Sequence, residues 1–262
     1  MNKETISLDI WENVWSEDIS EEYIKQRVEH ARHTLQYRKV NSLITEQASG
    51  LKVIELGCGE GIDSLLLGIS GAKITCVDFS KKAISRARKI FELYGIKAGF
   101  VEGDIFNLPD NFRDNYDISI SGGVAEHFLG KKRRDIFKVH LDVLKSDGLA
   151  IVAVPNAWCF PYRIMKYLME KTNKWILGTE IPFSRWELIN IAKSFPEVKG
   201  YKIFGGSFYR TFYTNLFVPA RVVLGKLFNK PSKLLTYKVI NEKSSIFDDY
   251  LGNFIVLVMK KV

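Results

Sequence analysis

The sequence predicts an α/β protein built on a doubly wound, mostly parallel sheet of seven strands. Between residues 51 and 155, short apolar segments alternate with longer amphipathic ones, as in βαβ units with right-handed crossovers. The first apolar segment runs into a glycine-rich turn that opens a helix. Two more apolar segments near the end of the chain bring the strand count to seven.

The elements follow from the spacing of apolar residues. Residues 16–47 carry apolar side chains at three- and four-residue intervals, which predicts an amphipathic helix with one break along its length. Ser20, followed by two glutamates, predicts an acidic first turn. Ser184, with Glu187 three residues later, predicts the start of a late helix. We predict strands at 52–56, 73–77, 99–101, 116–120, 149–154, 201–204 and 253–259, and further helices at 62–69, 81–94, 132–144, 162–170 and 186–194.

Composition excludes several classes of protein. The 262 residues are 46% hydrophobic and 26% charged, ordinary globular values that argue against disorder, collagen-like repeats and coiled coil. Cys58, Cys76 and Cys159 form no CxxC pair, which favours a reducing compartment over a disulfide framework. Because no signal peptide and no apolar run of about 20 residues is present, we expect a cytoplasmic protein.

The formal net charge of +8 lies in one stretch. Between Glu197 and Glu242 there are eight basic residues and no acid, whereas the rest of the chain is balanced. Aromatic side chains are interleaved with these charges. The basic residues are Lys199, Lys202, Arg210, Arg221, Lys226, Lys230, Lys233 and Lys238.

The strongest local signal is the glycine turn after the first strand, which has the spacing Gly57-x-Gly59-x-Gly61. Glycines allow a tight turn and close approach of a ligand, and the following helix N-terminus favours a negative group. The spacing differs from the Gly-x-Gly-x-x-Gly of dinucleotide-binding folds. A pyrophosphate ligand is therefore disfavoured.

Acidic residues follow the next two strands. Asp78 ends the second strand, where a carboxylate can accept hydrogen bonds from both hydroxyls of a ribose. Asp104 follows the third strand, where its side chain could accept from an exocyclic amine or serve as an ordinary turn aspartate. Signals at three successive strand ends predict a nucleoside site across the carboxyl edge of the sheet.

At these residues the sequence resembles the class I S-adenosylmethionine-dependent methyltransferases of the small-molecule, type 11-like group. The resemblance spans roughly residues 50–156 and implies S-adenosylmethionine as cofactor. It also implies an antiparallel last strand. By matching motif, the residues implied at the methionine, ribose and adenine moieties and beneath the sulfonium are Glu55, Gly57, Gly59, Gly61, Asp78, Phe79, Asp104, Ile105 and Ser121.

The resemblance divides the chain into four regions. Residues 1–48 form an N-terminal helical lid, 49–155 the cofactor-binding core, 156–200 a helical insertion that caps the acceptor, and 201–262 the last two strands with their basic, aromatic connection. Trp11 and Trp15 pack the lid onto the core or cover the cofactor.

His127, after the fourth strand, is the predicted catalytic residue. Methyl transfer from a sulfonium needs alignment and exclusion of water, and a phenol or alcohol acceptor also needs a base. A structural histidine remains an equal alternative. No metal is expected, because Ser121, Pro155 and Asn156 stand where metal-dependent relatives would carry acids and an Asp-Asn pair.

The acceptor itself is predicted only by class. Aromatic residues in the insertion and in the basic stretch favour a small, apolar or aromatic acceptor with anionic character, methylated on oxygen, nitrogen or carbon. Three alternatives remain: an RNA methyltransferase that uses residues 199–238, a non-catalytic cofactor-binding protein, and contact of residues 205–238 with an anionic membrane. No obligate protein partner is inferred.

Overall fold

A computed structural model of the protein describes residues 7–44, 48–212 and 245–262. Within these ranges one seven-stranded sheet has the strand order β3-β2-β1-β4-β5-β7-β6. The last strand is antiparallel to both of its neighbours, and the pairs β1–β2, β1–β4, β2–β3 and β4–β5 are parallel. The strands are β1 (Lys52–Leu56), β2 (Lys73–Asp78), β3 (Ala98–Glu102), β4 (Tyr116–Gly122), β5 (Leu144–Pro155), β6 (Val198–Gly206) and β7 (Phe254–Lys261).

Helices cover both faces of the sheet, which confirms the doubly wound fold. Short 3-10 turns follow β3 and β4, at Ile105–Asn107 and Ala125–His127. The helices are α1 (Leu8–Val14), α2 (Glu21–His33), α3 (Leu35–Ile44), α4 (Ile62–Ile69), α5 (Lys81–Leu93), α6 (Lys132–Asp142), α7 (Phe160–Lys171), α8 (Arg185–Lys193), α9 (Phe208–Phe212) and α10 (Ile246–Leu251).

Alternation along the strands divides the core into two layers. In β1, Val53 packs with α2, α4 and α5 on one face, while Ile54 and Leu56 pack with α6 and α8 on the other. Both layers are dry, with side chains such as Phe91 and Phe137 fully buried. Parallel strands covered on both sides read as continuous apolar runs, which is why the sequence predicted them well.

Helix starts agree with the predicted capping residues. The Ser20 and Ser184 hydroxyls accept the backbone N–H groups of Tyr23 (3.2 Å) and Glu187 (3.1 Å). The predicted break in the N-terminal helix lies at Thr34, between α2 and α3. The short helix α1 was not predicted, because its apolar side chains serve the cavity described below rather than the core.

Several features of the sequence fall only partly within the described ranges. Lys199, Lys202 and Arg210 of the basic stretch are described, and Lys199 pairs with Asp147. The other five basic residues lie outside the described ranges.

The three cysteines are buried and form no disulfide. Among the described helices, none combines the length and the apolar character needed to cross a bilayer.

Candidate active site

The glycine turn between β1 and α4 takes a backbone conformation that suits glycine. Gly57, Gly59 and Gly61 have φ angles of 72°, 51° and 66°, in the left-handed region. A Cβ atom on Gly57 would lie 2.7 Å from the Val124 side chain, and one on Gly59 would lie 2.8 Å from the Trp15 ring. The turn therefore packs against the β4 loop on one side and α1 on another.

Asp78 is held in place by the backbone around it. Its carboxylate accepts the N–H groups of Gly59 and Ser80, each at 2.9 Å, so the end of β2 is tied to the glycine turn. Burial raises the pKa of Asp78 above its usual value, although both hydrogen bonds act the other way. A buried carboxyl fixed at a strand end is suited to accept hydrogen bonds from a ligand.

A cavity of about 820 Å³ begins at this turn, which is towards the upper end of small-molecule sites, roughly 300–1,000 Å³. It brings together nine of the ten residues that the sequence predicted for the site. Those nine are Glu55, Gly57, Gly59, Gly61, Asp78, Phe79, Asp104, Ile105 and His127.

Ser121 is the exception, and the prediction for it is corrected. Its hydroxyl lies 2.9 Å from Nε2 of His140 on α6, and Ser121 does not line the cavity. Successive side chains of β4 point to opposite faces of the sheet, so Ser121 is directed into the layer beneath α6. Gly122, Gly123 and Val124 line the cavity instead.

Asp104 combines both interpretations of the sequence. Its carboxylate accepts the backbone N–H of Phe106 at 2.9 Å and the side-chain amide of Asn107 at 3.1 Å, as an aspartate that caps a turn does. It also lines the cavity. A direct contact between Asp104 and an adenine amine stays a prediction.

The cavity wall beneath the glycine turn is acidic. The Ser64 hydroxyl donates to Glu55, and burial raises the pKa of Glu55 well above its usual value. Asp63, in the first turn of α4, also lines the cavity and is partly buried, and desolvation raises its pKa as well. Gly61 precedes α4 without a side chain to cap it, so the first amide groups of the helix favour a carboxylate ligand.

Helix α1 lies at the cavity through two aromatic side chains. Trp11 and Trp15 stack with ring centroids 6.4 Å apart, and both line the cavity. The edge of Trp11 meets the His127 ring at 5.1 Å. The N-terminal segment thus contacts both the glycine turn and the predicted catalytic histidine.

His127 is oriented by a single backbone contact. Its Nδ1 atom lies 2.7 Å from the carbonyl oxygen of Thr179. Because a carbonyl can only accept, Nδ1 carries the proton and Nε2 of the neutral ring carries the lone pair. Burial lowers the pKa of His127 below the usual value of about 6.5. A neutral imidazole with a free Nε2 has the form required of a general base.

Residues that the sequence did not single out surround His127. Glu126 is 1% exposed, and burial raises its pKa well above the usual range. Glu180 accepts a hydrogen bond from the Tyr162 hydroxyl. One ligand atom each from Glu126, His127 and Glu180 lies within 4.8 Å of the others, a spacing that could hold a cation. Only the adjacency of Glu126 to His127 could have indicated this cluster.

The insertion supplies fewer aromatic residues to the cavity than the sequence suggested. Tyr162 and Trp175 line it, whereas Phe183 is in the core. Four other aromatic residues of the insertion are partly exposed on the surface: Trp158 (64%), Phe160 (43%), Tyr167 (56%) and Trp186 (71%).

Known proteins share this architecture. Residues 53–148 match the family model described as a methyltransferase domain. A ubiquinone biosynthesis O-methyltransferase of Rickettsia prowazekii is 26% identical over 162 residues, which cover 60% of this chain and 62% of that protein. The chain thus matches just under two thirds of that relative's length.

Solved structures extend the likeness to nearly the whole chain at the level of the fold. An S-adenosylmethionine-dependent methyltransferase of Thermotoga maritima, described as a possible histamine N-methyltransferase, has a TM-score of 0.59 at 18% identity and covers 98% of this chain and 100% of its own. Magnesium protoporphyrin IX methyltransferase of Synechocystis, with bound S-adenosylhomocysteine, has a TM-score of 0.57 at 14% identity and covers 97% and 93%.

The matched domain coincides with the strands and turns that form the cofactor end of the cavity. Its boundaries enclose the glycine turn, Asp78, Asp104 and His127, and a methyltransferase of known structure shares the fold. Residues 53–148 therefore match a methyltransferase domain, and the chain has the fold of S-adenosylmethionine-dependent methyltransferases.

Proposed function

We propose that the protein transfers a methyl group from S-adenosylmethionine to a small-molecule acceptor by in-line displacement. The observation that carries the proposal is one continuous cavity, which joins the glycine turn and Asp78 at one end to His127 and Tyr162 at the other. A cofactor and an acceptor held in a single water-poor space can be aligned for displacement.

The cofactor end supplies groups that fit S-adenosylmethionine. Asp78 presents a fixed carboxylate for the ribose hydroxyls, and Phe79 offers an apolar face for the adenine. The uncapped start of α4 suits the methionine carboxylate. When bound, the cofactor supplies an electrophilic methyl group. The chain's own residues bind it, orient it and exclude water.

At the other end of the cavity, His127 is proposed to take a proton from the acceptor. Its free Nε2 and lowered pKa keep it ready to accept a proton at neutral pH. The similarity to a ubiquinone biosynthesis O-methyltransferase supports a small-molecule acceptor. The division into lid, core, acceptor cap and carboxyl-terminal region, and a cytoplasmic location, remain proposals.

The cofactor assignment is tested by the variant Asp78→Ala. We expect it to weaken binding of S-adenosylhomocysteine by about tenfold or more, because a buried carboxylate that accepts ligand hydrogen bonds is lost. Isothermal titration calorimetry measures this effect. The matched control is Asp110→Ala, which removes a fully exposed aspartate outside the cavity. Retained affinity in Asp78→Ala would overturn the cofactor assignment.

The acceptor class is tested with cofactor that carries a labelled methyl group. We expect label to enter small molecules of a cell extract and not RNA. Transfer to RNA, with binding that weakens steeply as salt rises, would support the RNA alternative. Tight cofactor binding without transfer to either pool would support a non-catalytic protein. Flotation with anionic vesicles tests the membrane alternative.

A further inference from the structure

A buried carboxyl group at the acceptor end of the cavity lacks a hydrogen-bond partner among the described residues. The Oε2 atom of Glu126 is buried without one, and the residue is only 1% exposed. A polar atom left unpaired away from water costs free energy. Glu126 also lines the cavity, so a ligand in that space can satisfy it.

A second hydrogen-bond acceptor lies beside it. Nε2 of His127 is 4.0 Å from Oε1 of Glu126, too far for a direct hydrogen bond. Because Nδ1 donates to Thr179, Nε2 has only its lone pair to offer. Two acceptor groups thus face the same space, and neither donates to the other.

The neighbouring described side chains donate no hydrogen bond to Oε2 of Glu126. Glu180 adds a third acceptor, which already receives the Tyr162 hydroxyl. The nearby Lys166 ammonium group is paired with Glu170 and lies 4.7 Å from the centre of the Trp175 ring. The occupant of this space must therefore bring its own hydrogen-bond donors.

Acidic side chains outnumber basic ones along the described wall of the cavity, which disfavours an anionic occupant. Its lysine and arginine side chains are Arg27 and Lys132, and Arg27 is paired with Glu60. The sequence had suggested an anionic acceptor from the basic stretch, but most of that stretch lies outside the described ranges. The carboxyl side chains that line the cavity are Glu55, Glu60, Asp63, Asp78, Asp104, Glu126 and Glu180.

We propose, building on the function above, that the methyl acceptor is a primary amine whose nitrogen is held between the Glu126 carboxyl group and Nε2 of His127. A primary amine can donate to both groups from one atom, and its lone pair remains for the methyl group. A lone hydroxyl has one proton and can satisfy only one of them. Glu126 is then the residue that selects nitrogen over oxygen.

The transfer step balances with the groups named. The nitrogen lone pair forms a bond to the methyl carbon while the carbon–sulfur bond breaks, and the electron pair of that bond stays on sulfur. The nitrogen loses one proton, which passes to Nε2 of His127. Glu126 holds the second N–H of a primary amine and keeps the lone pair directed at the methyl group.

The test uses protein saturated with S-adenosylhomocysteine and matched triplets of compounds. Each triplet presents the same aromatic or alkyl group on an amine, a hydroxyl or a carboxylate, and benzene-1,2-diols are added as a fourth set. Ligand-detected NMR measures binding. We expect amines to bind about tenfold or more tightly than their matched carboxylates, and Glu126→Gln to remove that preference. Glu102→Gln, an exposed glutamate outside the cavity, is the control.

Four results would overturn the proposal: no amine binds, carboxylates bind as well as amines, diols bind better, or Glu126→Gln leaves the preference unchanged. Binding that needs a divalent metal and is abolished by EDTA would assign the same atoms to a cation instead. If Glu126→Gln does not fold, the matched triplets measured on the wild type still decide between amine, hydroxyl and carboxylate acceptors. Calorimetry with S-adenosylhomocysteine alone separates two kinds of failure. If only the amine proposal fails, S-adenosylhomocysteine still binds, whereas failure of the proposed function would abolish that binding as well.

Discussion

The two buried histidines, His140 and His127, differ in whether both ring nitrogens have hydrogen-bond partners. His140 is enclosed between two hydroxyls, with Nδ1 at 3.1 Å from Ser119 Oγ and Nε2 at 2.9 Å from Ser121 Oγ. Both of its nitrogens are occupied. His127 has Nδ1 bound to a carbonyl and Nε2 directed to a space that a ligand can enter. The free nitrogen, rather than burial alone, makes His127 and not His140 the proposed base.

For His127→Gln we expect kcat to fall about 100- to 10,000-fold, because proton removal is lost. The affinity for S-adenosylhomocysteine should change less than about threefold. In the wild type, kcat should rise with pH through an apparent pKa below about 6.5, since burial lowers the pKa of His127 and the neutral form is the base. Steady-state kinetics between pH 5 and pH 8 measures this limb.

The variant itself supplies the control for that profile. His127→Gln should lack the acid limb while other pH effects remain, and EDTA should leave both profiles unchanged. A wild-type acid limb that persists in His127→Gln would assign the base to another group.

His140 predicts a pH dependence of stability. Burial lowers its pKa to about 3, so between roughly pH 3 and 6.5 the unfolded chain binds a proton that the folded protein excludes. The free energy of unfolding therefore falls as pH falls, by up to about 1.4 kcal/mol per pH unit from this residue. Urea unfolding should show that His140→Gln loses about 2 kcal/mol less than the wild type between pH 7 and pH 5. Equal losses would contradict the assignment.

Sequence reasoning at the residue scale succeeded where residue type and backbone geometry coincide. The glycines and Asp78 were predictable because the turn needs left-handed backbone and the strand end needs a carboxylate. The prediction for Ser121 did not hold because β4 extends to Gly122, beyond the predicted end at residue 120, so Ser121 lies within the strand and its side chain meets α6. Glu180 was not predictable, because the insertion that carries it has no periodic pattern to fix its position relative to β4.

At the scale of elements, α1 is attached to the core by surface contacts. Glu12 accepts the Ser80 hydroxyl at 2.8 Å, and Arg86 lies 5.5 Å from the centre of the Trp15 ring. No residue of α1 is fully buried. A helix held this way can detach at little cost in free energy, while its two tryptophans cover the glycine turn and His127. These contacts support the predicted lid.

For Trp15→Ala we expect S-adenosylhomocysteine to dissociate about tenfold faster, because the ring that lies against Gly59 is lost. Global stability should change little, since Trp15 belongs to no core layer. Stopped-flow fluorescence can follow dissociation through Trp11. Trp186→Ala, which removes a tryptophan that is 71% exposed, is the matched control and should leave the rate unchanged. An unaltered rate in Trp15→Ala would assign α1 to packing alone.

For the whole molecule, the sheet determines where chemistry can occur. The carboxyl ends of β1, β2 and β4 lie side by side in the order of the sheet, so residues distant in sequence meet at one edge. This arrangement was predictable because strand order follows from alternation and handed crossovers. The residues that α7 directs towards the cavity were not predictable, since the helix leaves Ile164 and Leu168 exposed and buries Lys166. Because apolar residues of α7 are exposed while a lysine is buried, hydrophobic periodicity does not predict which side of the helix faces the cavity.

Because the cavity is formed by α1, the glycine turn and the insertion together, ligand binding should stabilise the molecule as a whole. S-adenosylhomocysteine at about 100 times its Kd should add about 2.7 kcal/mol to the free energy of unfolding. For a chain of this size, that raises Tm by roughly 5–10 °C. Differential scanning fluorimetry should show this shift in the wild type and in Asp110→Ala. In Asp78→Ala, tenfold weaker binding should cut the stabilisation to about 1.4 kcal/mol at the same concentration, so the shift in Tm should fall to about half or less. A full shift there would show that ribose recognition does not depend on the end of β2.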